Sequence, residues 1–398
     1  MPLKVLVVCF NRALTPYLKQ AIWNCFDARK PVKDWTLSHH DVEVINIDRL
    51  AWRLGREIGF KYDPRQPIAP QVQALMRTPA CQTYDHIFID EGQDIDLDWY
   101  PLLRTLAKPL PEVGPSIIVF YDEAQNLYGV KRPGVGDIPS WKEFLGETPN
   151  PRGLRTVMRV GHRNTNEILT FSFNMLLGAF SERDPRMKEF ANLNDFETTH
   201  RIPDDDPTMN HPNAGKPCVE KINPESSDRF YKTNFAIHKG PKPLIHKFDD
   251  DEALLVKLQK TIIASLDPNQ ANVDPKDILV MAPDLNGVSK IKEAFTDIGI
   301  DWHSPHGKFD GRDLRDQPFF QEGKITISTI KSAKGYTAHV VHLVFVDRLI
   351  PSEDTSLERE QQARAMFHVA CTRATLSVEI WGQDCALLQE AQQVLAAM

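Results

Sequence analysis

The sequence has no apolar run approaching the roughly 18 residues of a membrane-spanning helix, so a membrane partner is not expected. Its six cysteines are scattered and form no Cys-x-x-Cys pair, which argues against a zinc ribbon or a disulfide framework. The N-terminal residues lack the cleavage pattern of a signal peptide. Together these absences predict a reduced, cytoplasmic protein.

An excess of basic charge is also missing, since 47 Lys and Arg face 54 Asp and Glu and the net charge is −7. This balance does not indicate a nucleic-acid-binding protein, but it does not exclude one, because a local groove matters more than the total. With 398 residues, 41% of them hydrophobic and 25% charged, the chain is typical of a globular protein with two or three domains.

Short apolar runs rich in β-formers alternate with helix-like segments. The runs lie at 4–10, 42–47, 87–90, 116–122, 154–158, 278–281, 325–330, 340–346 and 377–381. They lack strict alternation of polar and apolar residues, which is typical of parallel sheets covered by helices on both faces. Helices are predicted over 250–265, 287–298, 357–373 and 384–397.

The pattern predicts two α/β domains joined by a hinge near the Pro- and Gly-containing stretch 148–153. The first domain is expected over residues 1–153 and the second over 154–398. Within the second, residues about 181–243 are polar and rich in Pro, Asn, Asp and Lys, and we interpret them as a partly irregular insertion.

Two adjacent carboxylates, Asp90 and Glu91, directly follow the apolar run in "HIFIDEGQD". Ligands of parallel α/β sheets bind at the carboxyl ends of strands, where an Asp can hold Mg²⁺ and a second acid can activate water for phosphoryl transfer. The alternative is that the acids only start a loop or cap a helix. Asp122 and Gln125 follow the next run in "YDEAQN", so two successive strand ends carry polar groups.

"IDEGQD" followed by "YDEAQNLYG" resembles motifs II and III of the UvrD/Rep-type superfamily 1 helicases. The resemblance extends through "VLVVCFNRAL" at 5–14 (motif Ia), "VINIDRLA" at 44–51 (the place of motif Ib) and "LRTVMRVGHRNTNEIL" at 154–169 (motif IV). It continues with "ITISTIKSAKGYTAHVV" at 325–341 (motif V) and "FHVACTRAT" at 367–375 (motif VI). It implies two RecA-like, P-loop NTPase-type parallel-sheet domains, the first incomplete at its N-terminus.

The resemblance also implies ATP and Mg²⁺ as cofactors and a role for each matched residue. Asp90 would hold Mg²⁺, Glu91 would be the catalytic base, and Gln125 would sense the γ-phosphate. Arg163 of motif IV would reach the γ-phosphate from the second domain, and Arg373 of motif VI would be an arginine finger. A guanidinium suits this task because it is always charged and binds phosphate oxygens in a fork. The alternative for Arg373 is a surface salt bridge on a helix.

Nucleic-acid contacts are implied for motifs Ia and V. Asn11 and Arg12 would touch the backbone of a single strand. The Ser332–Gly335 segment would be a turn after a strand, with Thr329, Ser332 and Lys334 able to contact the phosphodiester chain. The expected partner is single-stranded DNA, with RNA as the alternative.

The sequence departs from the family pattern at Lys331 and Thr337, and most of all in lacking the phosphate-binding string G-x-x-x-x-G-K-[ST]. Three explanations are open: a fragment of a longer helicase, a split enzyme whose partner chain supplies the P-loop, or a degenerate relative without ATPase activity. We favour the first. The functional prediction is an ATP-dependent single-stranded nucleic-acid translocase or DNA helicase. The alternatives are a non-hydrolysing nucleic-acid-binding or regulatory module, and an NTPase with no nucleic-acid role.

Overall fold

A computed structural model describes residues 3–12, 14–28, 41–110, 114–122, 125, 158–183, 201–203, 211–222, 230–306, 308–309, 312–313, 317–350 and 356–398. The chain divides into two compact units, residues 1–156 and 157–398, each described here by itself. The predicted hinge at 148–153 and most of the predicted run at 154–158 lie outside the described residues.

The first unit is built on a parallel four-stranded sheet with the strand order β2-β1-β3-β6. Its strands are β1 (Val5–Cys9), β2 (Val42–Asn46), β3 (His86–Asp90) and β6 (Ile117–Val119), and its helices are α1 (Leu14–Ala28), α2 (Ile47–Glu57), α3 (Ile68–Leu75) and α4 (Tyr100–Leu106). A two-residue ladder, β4 (Pro109–Leu110) with β5 (Gly114–Pro115), precedes β6. Every residue of β1 is buried, as expected for a continuous apolar strand inside a sheet.

The second unit contains a parallel six-stranded sheet with the order β11-β18-β17-β12-β16-β13. These strands are β11 (Leu244–Phe248), β12 (Ile278–Ala282), β13 (Trp302–His303), β16 (Ile325–Thr329), β17 (Ala338–Val344) and β18 (Ala374–Gln383). Its helices are α5 (Asn166–Leu177), α6 (Asp251–Leu266), α7 (Leu285–Asp297), α8 (Ile330–Ala333), α9 (Leu357–Cys371) and α10 (Ala386–Ala397). The four predicted helices are confirmed to within a few residues, and so are the predicted strands of both sheets. β11 and β13 were not predicted.

Smaller strands complete the second unit. They are β7 (Gly161–Thr165), β8 (Val219–Lys221), β9 (Tyr231–Thr233), β10 (Ala236–His238), β14 (Lys308–Phe309) and β15 (Arg312–Asp313). β10 pairs in parallel with β7, and β8 pairs with β9 in antiparallel fashion. The described part of the predicted insertion therefore contains ordered strands, and it forms a small core with Leu177 of α5.

Helix ends are fixed by residues that the sequence rules identify. The carboxylate of Asp250 accepts from the backbone N–H of Ala253 at 2.7 Å and caps α6. Gly178 ends α5 in the left-handed region, with φ of 64°. No helix in the described part of the chain is both long and apolar enough to cross a membrane.

Candidate functional site

The carboxyl ends of the strands in the first unit gather most of its predicted site residues. Cys9, Asn46 and Asp90 are register partners at the last positions of β1, β2 and β3. Asp90 is half-buried, and Glu91 follows it directly. The prediction that the acids stand at the carboxyl end of a strand is therefore confirmed, and their chemical roles remain predictions.

The turn after β3 has a strained backbone and is closely packed. Glu91 adopts the left-handed conformation, with φ of 52° and ψ of 47°, which costs a non-glycine residue about 1 kcal/mol or more. Gly92 follows, and its N–H donates to the carbonyl of Phe120 at 2.8 Å. A Cβ at position 92 would overlap Cγ1 of Val119 and lie 3.3 Å from the Phe120 carbonyl oxygen. Only glycine lets this turn approach the end of β6.

Gln93 links the carboxylate turn to the end of β6, although sequence reasoning assigned it no role. Its side chain is 1% exposed, and its amide nitrogen donates to the carboxylate of Glu91. Its amide oxygen accepts from the backbone N–H of Asp122 at 2.9 Å. The amide of Gln125 in turn donates to the Asp122 carboxylate at 2.6 Å. Glu91 and Gln125 are thus connected through hydrogen-bonded groups.

Asn11 and Arg12 form the turn between β1 and α1, on the same edge of the sheet. The carbonyl of Asn11 accepts from the N–H of Leu14 at 3.1 Å, and both side chains are half-buried. Asn46 supports this turn, because its amide donates to the carbonyl of Phe10 while its oxygen accepts from the N–H of Asp48 at 3.1 Å. The end of β1 and the start of α2 are therefore held together.

Cys9 is no nucleophile, although it lies beside Asp90. Burial, and to a smaller extent the Asp90 charge, raises the pKa of its thiol to about 12 against the lowering effect of the hydrogen bond with Thr15. The thiol therefore stays protonated at neutral pH.

The carboxyl ends of the strands in the first unit suit a Mg²⁺ ion that protein carboxylates and phosphates bind together, rather than one bound by protein ligands alone. Mg²⁺ in such sites takes one or two carboxylates, and phosphate and water oxygens fill the other positions. Asp90 and Asp122 offer carboxylates from adjacent strands. Among the described residues no group of three or more His, Cys, Asp or Glu side chains could hold a metal by itself.

In the second unit, the motif V residues follow β16. The hydroxyl of Thr329 accepts from the N–H of Ser332 at 3.3 Å and caps α8, so a one-turn helix stands where a simple turn was expected. The backbone N–H of Thr329 donates to Nε2 of His306 at 3.0 Å. Ser332 is half-buried and Lys334 is 2% exposed.

Arg163 and Arg373 belong to segments that are hydrogen-bonded to each other. Arg163 lies exposed on β7, and Arg373 is fully buried just before β18. Between them, the amide of Asn164 donates to the carbonyl oxygens of Thr372 at 2.9 Å and Ala374 at 2.6 Å. Motifs IV and VI are therefore joined within this unit.

The alternative that Arg373 forms a surface salt bridge is wrong. Its guanidinium donates through Nε to the carbonyl of Val369 at 2.9 Å and through Nη1 to the carbonyl of Tyr336 at 3.4 Å. Its other nitrogen donates to the hydroxyl of Thr372 at 3.2 Å. The role of arginine finger remains a prediction.

Two polar side chains at the end of β13 are buried. His303 is 7% exposed and Ser304 is 3% exposed. Burial lowers the pKa of His303 to about 4, so the imidazole is neutral at neutral pH.

Sequence reasoning missed three buried amides that organise these sites: Asn46, Gln93 and Asn164. For Asn46 a signal existed, because an Asn between an apolar run and a helical pattern is a typical helix cap. Gln93 stands within the carboxylate motif, but no local sequence pattern indicates its hydrogen bond with Asp122. The partners of Asn164 lie more than 200 residues away in the chain, so no local pattern could have revealed them.

No protein-family model matches the sequence, and no curated protein matches it. Among the solved structures that match, one is the C-terminal domain of a possible DNA helicase from Lactobacillus plantarum WCFS1. The match has 12% sequence identity and a TM-score of 0.29, and it covers 39% of this chain and 84% of the other. A likeness this distant carries no argument, so the function proposed below rests on the residues and geometry of this chain.

Proposed function

We propose that this chain forms the motor core of an ATP-dependent single-stranded nucleic-acid translocase, most similar to a DNA helicase of the UvrD/Rep type, with two RecA-like domains. The observation that carries the proposal is the carboxyl edge of the four-stranded sheet. Asn11 and Arg12, Asp90 and Glu91, and Asp122 and Gln125 leave three adjacent parallel strands on that one edge.

Phosphoryl transfer needs a group that orients or deprotonates the attacking water and groups that neutralise phosphate charge. In this proposal Glu91 accepts the proton of that water. The amide of Gln93 holds the Glu91 carboxylate in place by a hydrogen bond. Asp90 would hold Mg²⁺, which would neutralise charge on the triphosphate. Arg163 and Arg373 bind phosphate oxygens.

The connection between Glu91 and Gln125 supports a link between hydrolysis and nucleic-acid binding. A Gln amide can donate and accept at once, so it can respond to a phosphate and to a neighbouring strand end. Asn11 and Arg12 lie on the same edge and supply nucleic-acid contacts. Thr329, Ser332 and Lys334 supply further contacts from the second unit.

The experiment that tests the proposal is ATP hydrolysis by the full-length protein, measured with and without a single-stranded DNA oligonucleotide. Hydrolysis that DNA stimulates and that Glu91→Gln abolishes is the expected result. The matched control is Glu57→Gln, which removes a carboxylate of α2 whose hydrogen-bond partner is Thr78. Equal hydrolysis with and without DNA would contradict the nucleic-acid role.

A non-hydrolysing nucleic-acid-binding module is the second candidate. Two observations favour it: the sequence contains no G-x-x-x-x-G-K-[ST] string, and the guanidinium of Arg373 is fully buried. Binding to single-stranded DNA without any ATP turnover would support this candidate. Absence of binding to both DNA and RNA would remove both candidates.

A further inference from the structure

The amide of Asn164 holds the backbone on both sides of Arg373. Its Nδ2 donates to the carbonyl oxygen of Thr372 at 2.9 Å and to that of Ala374 at 2.6 Å. The Asn164 side chain is 7% exposed, so water does not compete effectively for these bonds. Both N–H groups of one amide are therefore used to fix a single residue of the chain.

Arg163 immediately precedes Asn164 on β7 and is exposed. The same short strand thus carries one predicted phosphate-binding arginine and, at the next residue, the side chain that fixes the other. The backbone of Arg373 is also held by its own unit, since its carbonyl accepts from the N–H of Ala338 at 3.0 Å. Three chain segments, at 161–165, 336–338 and 372–374, meet at this point.

We propose that Asn164 is a positioning residue that fixes Arg163 and Arg373 relative to each other for binding phosphate. This inference rests on the proposed function, in which both arginines act on the triphosphate. An amide suits the role because it is neutral and offers two N–H donors to two carbonyls. Aspartate has the same shape but no donors when ionised, so it would place a negative charge against both carbonyl oxygens.

Asn174 provides a matched control in the same unit. It is a buried asparagine of α5, 0% exposed, whose amide donates to the carbonyls of Thr170 at 2.7 Å and Tyr231 at 2.6 Å. These partners belong to none of the arginine segments. Replacing Asn174 removes the same kind of hydrogen bonds without touching the predicted phosphate-binding residues.

The test compares Asn164→Ala and Asn164→Asp with Asn174→Ala and Asn174→Asp in the full chain. Thermal melting reports the structural cost, which we expect both positions to show. ATP turnover in the presence of single-stranded DNA reports the positioning role. We expect kcat to fall by about 10- to 100-fold for the Asn164 variants only, with little change in KM, because a displaced group loses its contact with the transition state.

The outcomes separate the inference from the proposed function. If the variants at both positions turn over ATP equally, the positioning role is overturned and the proposed function stands. If the unaltered chain shows no DNA-stimulated turnover, the proposed function fails and the positioning role fails with it. Should the Asn174 variants not fold, Asn234→Ala, which removes a bond from a buried amide to the carbonyl of Pro217, takes their place.

Discussion

The two units place their candidate residues in contrasting surroundings. In the first unit, acids and amides follow the carboxyl ends of parallel strands. Asp90 is half-buried, and Asp122 is exposed. In the second, Arg373 precedes the amino end of β18 and is fully buried, and Arg163 lies on a short strand outside the six-stranded sheet. The positions of the acids therefore follow from the rule that ligands bind at the carboxyl ends of parallel strands, whereas tertiary hydrogen bonds place the segments that carry the arginines.

The largest effect on stability is expected from Gly92→Ala, which changes the turn that carries the acids. The added Cβ would overlap Val119 and crowd the carbonyl of Phe120, so the turn would separate from the end of β6. We expect the first unit to lose about 3 kcal/mol of stability, which is typical of overpacking a closed site. Urea unfolding measures this loss when it is monitored by hydrogen exchange in peptides of β1 and β3.

Gly59→Ala is the control for that substitution. Gly59 also lies in the first unit and has a positive φ of 70°, but a Cβ there would meet nothing within 4 Å. Its cost is limited to backbone strain of about 1 kcal/mol. Equal destabilisation by the two substitutions would show that close packing at Gly92 does not hold the carboxylate turn.

The fold was largely predictable because buried parallel strands leave apolar runs that need no partner information. Val5–Cys9, Ile278–Ala282 and Ile325–Thr329 are such runs. β7, with the sequence GHRNT, is short and polar. A strand was predicted instead at the apolar run 154–158. The acids of the candidate site were predictable as well. The amides that hold the site were not, because their partners are backbone groups brought close only by folding.

The second largest effect on stability concerns His342, at the centre of the six-stranded sheet. His342 is fully buried, and neither ring nitrogen has a hydrogen-bond partner among the described residues. Burial lowers its pKa to about 4, the nearby Glu379 carboxylate raises it, and His246 lowers it. Its neutral form is therefore strongly preferred in the folded protein.

The sign of the pH dependence follows from this pKa. Because the pKa is lower in the folded chain than in the unfolded one, the stabilisation is complete above about pH 6.5 and is lost as the pH falls towards 4. We expect the second unit to lose about 2 kcal/mol between neutral pH and about pH 5 from this group. Hydrogen exchange in peptides of β17, compared across pH, measures the loss.

His342→Leu should remove this part of the pH dependence while leaving stability at neutral pH nearly unchanged, because no hydrogen bond is lost. His339→Leu on the same strand is the control, since His339 is exposed. Part of the acid sensitivity should survive in His342→Leu, because the pKa of Glu379 is also lowered. Burial raises this pKa, but the hydrogen bond with His246 and nearby positive charges outweigh burial. An unchanged pH profile in His342→Leu would contradict this account of the core.

The smallest effect is expected from Arg12→Ala, which tests the nucleic-acid contacts of the first unit. Losing one phosphate contact should weaken binding to single-stranded DNA severalfold and reduce the slope of log K against log salt by about 0.7. Fluorescence anisotropy at several salt concentrations measures both quantities. Arg65→Ala, in the turn before α3, serves as the control. If the two substitutions change the slope equally, Arg12 has no special role.

The most direct test of the central claim, that Glu91 and Arg163 both serve ATP hydrolysis, is DNA-stimulated ATP turnover by Arg163→Ala. Arg163 is exposed, so its removal should leave the fold intact. We expect a loss of turnover of about 10³-fold, comparable to that of Glu91→Gln, with thermal melting unchanged. Turnover by Arg163→Ala at the level of the unaltered chain, alongside an inactive Glu91→Gln, would contradict the claim.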